Sequence, residues 1–146
     1  MTIILKPQQL FVSAITLCLL LATTGCGSSF SEKDLAACQS AWDSTSDALS
    51  SAPRATYSDS APDPTFEEKM DHFMVLVDAQ SKVRSLGPTV DSPELNLALL
   101  NYALGIGAMS LEFLENPRGT GTPGITRFND TFKVVLDLCE SSGWKN

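Results

Sequence analysis

Apolar residues recur at alternating spacings of three and four in four segments of the chain, which is the pattern of amphipathic helices. The first segment begins at Ser31 and Asp34, which suit a helix N-cap and an acidic first turn. It ends before Pro53. Its apolar stripe consists of Leu35, Cys38, Trp42, Thr45, Leu49 and Ala52. We therefore predict a first helix that buries this stripe in a core.

The second predicted helix follows a long loop. Residues 53–64 contain three prolines together with serine and aspartate, a composition typical of a loop. Thr65 and Glu68 then form a capping-box pattern, and Gly87-Pro88 ends the helix. Its apolar side is supplied by Phe66, Met70, Phe73, Leu76, Val77, Val83 and Leu86.

The third segment is the most apolar. Pro93 suits the first position of a helix, and no charged residue lies between Leu95 and Leu111, so we expect this helix to be the most buried. A second membrane span is the alternative, because about 17 residues is the lower limit for crossing a bilayer; Asn101 and Ser110 weigh against it. Small and polar positions form one narrow stripe: Asn101, Gly105, Ala108, Glu112 and Glu115.

The fourth segment completes the fold prediction. Residues 116–125 are rich in glycine and proline and indicate a loop, after which Thr126 can cap a helix that Gly143 ends. Phe128, Phe132, Val135 and Cys139 share one face of that helix. Four such helices predict an all-α protein, a four-helix up-down-up-down bundle.

The N-terminal segment has the pattern of an export signal. Lys6 precedes an uncharged apolar run at residues 10–22, which is shorter than the about 20 residues of an ordinary membrane span. Thr23-Thr24-Gly25-Cys26 follows, and it resembles the lipobox of bacterial lipoproteins. The resemblance implies that residues 1–25 are removed and that Cys26 is acylated. A secretory signal with an incidental cysteine is the alternative.

Two cysteines remain in the rest of the mature chain, Cys38 and Cys139. In the predicted topology the start of the first helix and the end of the fourth lie at the same end of the bundle. Both cysteines also lie on core stripes. An exported protein folds in an oxidising compartment, so we predict a disulfide that links helices 1 and 4, with two buried thiols as the alternative. Residues 26–30 then form a short tether, and residues 31–146 form the bundle domain.

Charge narrows the choice of partners. The chain has 10 basic and 17 acidic residues, and removal of Lys6 with the signal leaves nine basic residues and a net charge of −8. An acidic protein has no electrostatic attraction to nucleic acid or to anionic lipid. We therefore expect the acyl chains alone to attach the protein to the membrane of the cell envelope, on the side facing outside the cytoplasm.

No group of residues in the sequence amounts to a catalytic site, so we expect neither an enzyme nor a cofactor. His72 is the only histidine, and the paired Glu-x-x-His motifs of di-iron bundles are missing. The expectation for His72 is a solvated helix face, with a haem axial pair of His72 and Met109 as the alternative. Gly105 and Gly107 lack the third glycine and the preceding strand of a dinucleotide-binding motif.

These observations favour a structural or protein-interaction role, with a small-ligand, haem or metal-binding bundle as the alternative. The short tether places the end of the bundle that carries Trp144-Lys145 near the bilayer, where those residue types suit the headgroup region. The loops at 53–64 and 116–125 lie at the opposite end. We expect an envelope protein to bind there, because these loops carry residue types common at binding hot spots: Arg54, Tyr57 and Arg118.

Overall fold

A computed structural model of the chain describes residues 30–51, 63–117 and 122–145. Within these ranges the chain forms four α-helices and no strand. A short 3-10 helix, Gly87–Thr89, joins the second helix to the third. The α-helices are α1 (Glu32–Ser51), α2 (Phe66–Leu86), α3 (Pro93–Glu115) and α4 (Pro123–Ser141). The predicted four-helix up-down-up-down bundle is confirmed.

The sequence signals for helix starts are confirmed at α2 and α3 and shifted at α4. The Thr65 hydroxyl accepts a hydrogen bond from the Glu68 N–H at 3.2 Å, and the Glu68 carboxylate accepts one from the Thr65 N–H at 2.7 Å. The Ser92 hydroxyl caps α3. The fourth helix begins at Pro123 instead of after Thr126, because proline at the first helical position already has helical φ and needs no N–H partner.

The end of α4 turns the C-terminal residues back onto the bundle. Gly143 has a φ of +95°, a left-handed conformation that favours glycine. The N–H groups of Gly143 and Trp144 donate to the carbonyls of Glu140 and Cys139, each at 3.1 Å, which is the Schellman arrangement. Trp144 is thereby carried into the core, where only 8% of its surface is exposed.

The core lies along α3. This helix packs closely against both α2 and α4. Its inner side buries large residues completely: Leu95, Leu99, Tyr102 and Ile106. A Cβ added at Gly105 would lie 3.2 Å from the Phe128 Cα, so a glycine is what lets the backbones of α3 and α4 approach each other. Of the stripe predicted in the third segment, Gly105 therefore lies in the contact with α4, whereas Asn101 and Glu115 are exposed.

The predicted disulfide between Cys38 and Cys139 is confirmed, with an S–S distance of 2.00 Å and a Cα–Cα distance of 6.0 Å. It joins α1 to α4 at the end of the bundle where α1 begins. Beyond this bond, α1 contacts α4 much less than it contacts α2. The pair α1 and α4 is therefore the open seam of the bundle.

Candidate functional site

The side of α3 that faces away from the core carries exposed leucines. We call the set of Leu97, Leu100, Leu104 and Leu111 the leucine face. The exposed fractions of these residues are 62%, 38%, 52% and 60% respectively. Single exposed leucines are common on proteins, whereas a continuous apolar surface marks a contact site.

Neighbouring helices extend the leucine face into a shallow groove of about 370 Å³. Phe73, Val77 and Gln80 of α2 line one side, and Arg127 of α4 borders the other. Leu104 and Leu111 form part of its floor. The apolar surface therefore spans two helices, with a single described cation at its margin.

This arrangement modifies the prediction that the third helix is the most buried. One side of α3 is buried in full, yet the opposite side is apolar and exposed. Of the helices in the described part of the chain, α3 is the one long and apolar enough to cross a membrane by length and composition, and less than half of its most apolar 18 residues are buried. The signal that the sequence analysis missed is a second apolar stripe at positions 97, 100, 104 and 111.

A second candidate surface lies at the seam between α1 and α4. Trp42 stacks on Phe132 with ring centroids 5.8 Å apart, and Phe132 in turn stacks on Tyr102 at 5.3 Å. Over these rings lies what we call the aromatic groove, with a volume of about 430 Å³. Its lining residues are Trp42, Thr45, Ser46, Leu49, Ser50 and Phe132.

The polar atoms beneath the aromatic groove are already hydrogen bonded. The Tyr102 hydroxyl donates to Thr45 Oγ1 at 2.7 Å, and Thr45 Oγ1 donates to the Ala41 carbonyl at 2.9 Å. Burial raises the pKa of the Tyr102 hydroxyl, which keeps it protonated. A ligand in the groove would therefore contact rings and the more exposed serine hydroxyls.

The prediction that His72 lies on a solvated helix face is wrong. His72 is 6% exposed, and its ring centroid lies 4.1 Å from that of Phe113. The reason is its position: His72, Leu76, Ala79 and Val83 follow one another at helical spacing and are all buried. Burial lowers the pKa of the imidazole, and among the described residues Nδ1 has no hydrogen-bond partner.

The described residues contain no group of three or more histidine, cysteine, aspartate or glutamate side chains placed to hold a metal ion. Met109, the other half of the haem alternative, packs against the hydrophobic core. The lipidation residue Cys26 and the three candidate partner-binding residues, Arg54, Tyr57 and Arg118, lie outside the described residues.

The expectation that Trp144 lies at the lipid headgroups is also corrected. Its Nε1 donates to the Gln39 side-chain oxygen at 3.1 Å, and its ring lies 6.0 Å from that of Trp42. These contacts close the end of the core beside the disulfide. Of the predicted pair, Lys145 alone is exposed.

The described residues thus define an all-α, disulfide-linked four-helix bundle with an exposed leucine face and an aromatic groove. The chain matches no protein-family model, and searches of the curated proteins and of the solved structures found no similar protein.

Proposed function

We propose that this protein is a non-enzymatic lipoprotein of the cell envelope, anchored by acyl chains on Cys26, that binds a protein partner in the envelope through the leucine face. The exposed leucine face is the main observation that supports this proposal. Its four leucines expose surface equal to roughly two whole leucine side chains. Covering that surface would contribute about 3–6 kcal/mol before the cost of association.

The chemistry of the face favours a protein over lipid as its occupant. Helices that lie in a membrane interface combine an apolar side with a lysine- and arginine-rich side that attracts anionic lipid. Here the mature chain has a net charge of −8, and α3 has no lysine or arginine along its length. A partner with an uncharged apolar helix would satisfy the face without burying charge.

The proposed anchor would keep the end of the bundle where α1 begins close to the membrane. Cys26 precedes the start of α1 at Glu32 by six residues, which span at most about 20 Å. The start of α3 lies beside the start of α1, because Lys33 forms an ion pair with Asp91 at 3.2 Å. The leucine face therefore runs from the membrane-proximal end of the bundle outwards.

The anchor is tested first. Cys26→Ser should move the protein out of the membrane fraction or leave it unprocessed, whereas Cys18→Ser should change nothing because residue 18 lies in the removed segment. Mass spectrometry that finds an unmodified mature N-terminus in the wild-type protein would overturn the anchoring proposal.

The contact is tested by placing a photo-cross-linking amino acid at position 104 in the membrane-anchored protein. We expect a discrete cross-linked product there and none at position 134, since Val134 is equally exposed at 52% but lies on α4. Equal yields at both positions, or no product at 104, would show that the leucine face has no specific protein partner.

The aromatic groove supports a second candidate, the binding of a small apolar ligand. Its volume of about 430 Å³ falls within the usual range for ligand sites, which are lined mainly by apolar and aromatic groups. A medium-chain fatty acid should change the fluorescence of Trp42, and Leu49→Asp should abolish the change. If the titration is unaltered by Leu49→Asp, the groove is not the binding site.

A further inference from the structure

We infer that the leucine face binds a second copy of this chain, so that two protomers anchored in one membrane pair through parallel α3 helices. The inference rests on the proposed function, because it names the partner of the same face. Two observations support it, the spacing of the exposed residues and the lack of charge on the face, and the proposed anchor gives the pair a direction.

The spacing of the outward-facing residues is that of a coiled-coil seam. The exposed residues Leu97, Leu100, Leu104 and Leu111 are separated by three, four and seven positions. The partly buried Gly107 and Leu114 complete a register of alternating intervals of three and four. This is the a and d pattern with an average period of 3.5, by which two helices keep one seam in contact. Gln80 of α2 partly covers Gly107, the one position without a side chain.

A second stripe with the same kind of spacing already has its partner. Leu95, Leu99, Tyr102 and Ile106 face inwards and are fully buried by the bundle. Core packing accounts for this inner stripe and leaves the outer one unexplained. A helix that needed only to pack into its own bundle would carry polar residues on the outer side.

The face is also self-complementary. Between Leu95 and Leu111 the sequence of α3 has no charged residue, so two copies can meet without burying a charge. In a symmetric dimer the same patch on both protomers makes the contact. Equivalent leucines of the two protomers can pack against each other and satisfy that condition. The charged residues that give the net charge of −8 lie outside this contact.

The anchor determines the direction of pairing. The Asp34 carboxylate accepts a hydrogen bond from the Ser92 N–H at 3.0 Å, so α3 starts at the anchored end. The 23 residues of α3 span about 35 Å, whereas the tether reaches at most about 20 Å. For helices that stand upright on the membrane, an antiparallel pair would lift one anchor out of the bilayer. Two copies in one membrane must therefore pair in parallel, and their confinement there raises the effective concentration.

The experiment uses single cysteines in the full-length membrane-bound protein. Its native cysteines are removed with the signal, acylated or joined in the disulfide, so an introduced cysteine at position 97, 104 or 111 is the one available thiol. Mild oxidation should give disulfide-linked homodimers for Leu97→Cys, Leu104→Cys and Leu111→Cys. Val134→Cys, matched in exposure, should give none. Mass spectrometry identifies the product as two copies of this chain.

Three further measurements decide the inference. Adding Leu104→Asp should abolish the Leu97→Cys cross-link. When Leu97→Cys and Leu111→Cys carry different tags and are co-expressed, a mixed dimer would overturn the parallel arrangement. A lack of homodimer at 97, 104 and 111, with photo-cross-linking to another protein retained at 104, would overturn the inference and leave the proposed function standing. If these thiols do not react with a membrane-impermeant maleimide although the protein is monomeric, the leucine face contacts lipid. That result would overturn both the inference and the proposed function.

Discussion

The carboxylate of Asp34 holds the start of α3 through Ser92, 58 residues later in the chain. One oxygen of Asp34 accepts hydrogen bonds from the N–H groups of Ser92 and Asp91 at 3.0 and 2.9 Å. The other accepts from the N–H and hydroxyl of Ser31 at 2.9 and 3.0 Å. A single buried side chain thus caps α1 and fixes the connection from α2 to α3.

Asp34→Asn should destabilise the fold by about 1–3 kcal/mol, because an amide retains one acceptor oxygen and leaves buried N–H groups without a partner. Burial alone would raise the pKa of Asp34, but the hydrogen bonds from Ser92, Ser31 and Asp91 hold it below its ordinary value of 3.8. The stabilisation is therefore present above pH 3.8 and is lost as the pH falls below it.

Urea denaturation of wild type and Asp34→Asn at neutral pH measures the destabilisation. Asp43→Asn is the matched control, because Asp43 is an exposed carboxylate on the same helix. Equal losses for the two variants would show that Asp34 contributes no more than surface charge.

Two glycines of α3 should respond to alanine in opposite directions. At Gly105 a Cβ would meet Thr131 Oγ1 and lie 3.2 Å from the Phe128 Cα, so Gly105→Ala should cost about 1–2 kcal/mol of stability through overpacking. At Gly107 the obstructing atoms belong to the end of the Gln80 side chain, which can rotate away. Gly107→Ala should then gain about 0.5–1 kcal/mol from helix propensity. Thermal unfolding of the two variants measures this difference, and a gain at both positions would contradict the close approach of α3 to α4.

The Cys38–Cys139 disulfide closes a loop with a sequence separation of 101 residues. Replacing both cysteines with alanine should cost about 2–5 kcal/mol of stability. The loss of stability should be largest in α1. Apart from the disulfide, α1 contacts α4 much less than it contacts α2, so the bond is the main link between α1 and α4. Hydrogen exchange should accelerate in α1 more than in α3. Uniform acceleration across all four helices would show that α1 is held as firmly by its other contacts as by the disulfide.

Residue periodicity in the sequence was enough to predict the helices and the disulfide. It was not enough to predict which side of a helix is exposed to solvent. The helices, the Thr65 cap and the disulfide follow from residue type and spacing, and all are confirmed. For α3, an uncharged sequence gave no means of distinguishing the inner leucines from the outer ones, since Leu99 and Leu100 differ only in direction. Trp144 was misplaced because its burial depends on the left-handed turn at Gly143 and on Gln39, 105 residues away.

The burial of His72 leads to a pH dependence of stability in a second, separate range. Burial lowers the pKa of the folded imidazole below the ordinary value of 6.5, whereas the unfolded chain titrates near that value. Below pH 6.5 the unfolded state therefore binds a proton that the folded state does not, so stability falls as the pH falls, by at most about 1.4 kcal/mol per pH unit.

His72→Phe removes the titrating group and the Nδ1 that has no described partner, while it keeps a ring against Phe113. Urea denaturation at several pH values between neutral and mildly acidic should show a slope for wild type and a much flatter line for His72→Phe. Asp34 cannot account for the slope, because it titrates below pH 3.8. Parallel lines for the two proteins would mean that His72 becomes protonated without cost in the folded state, and its contact with Phe113 would then have to open to water.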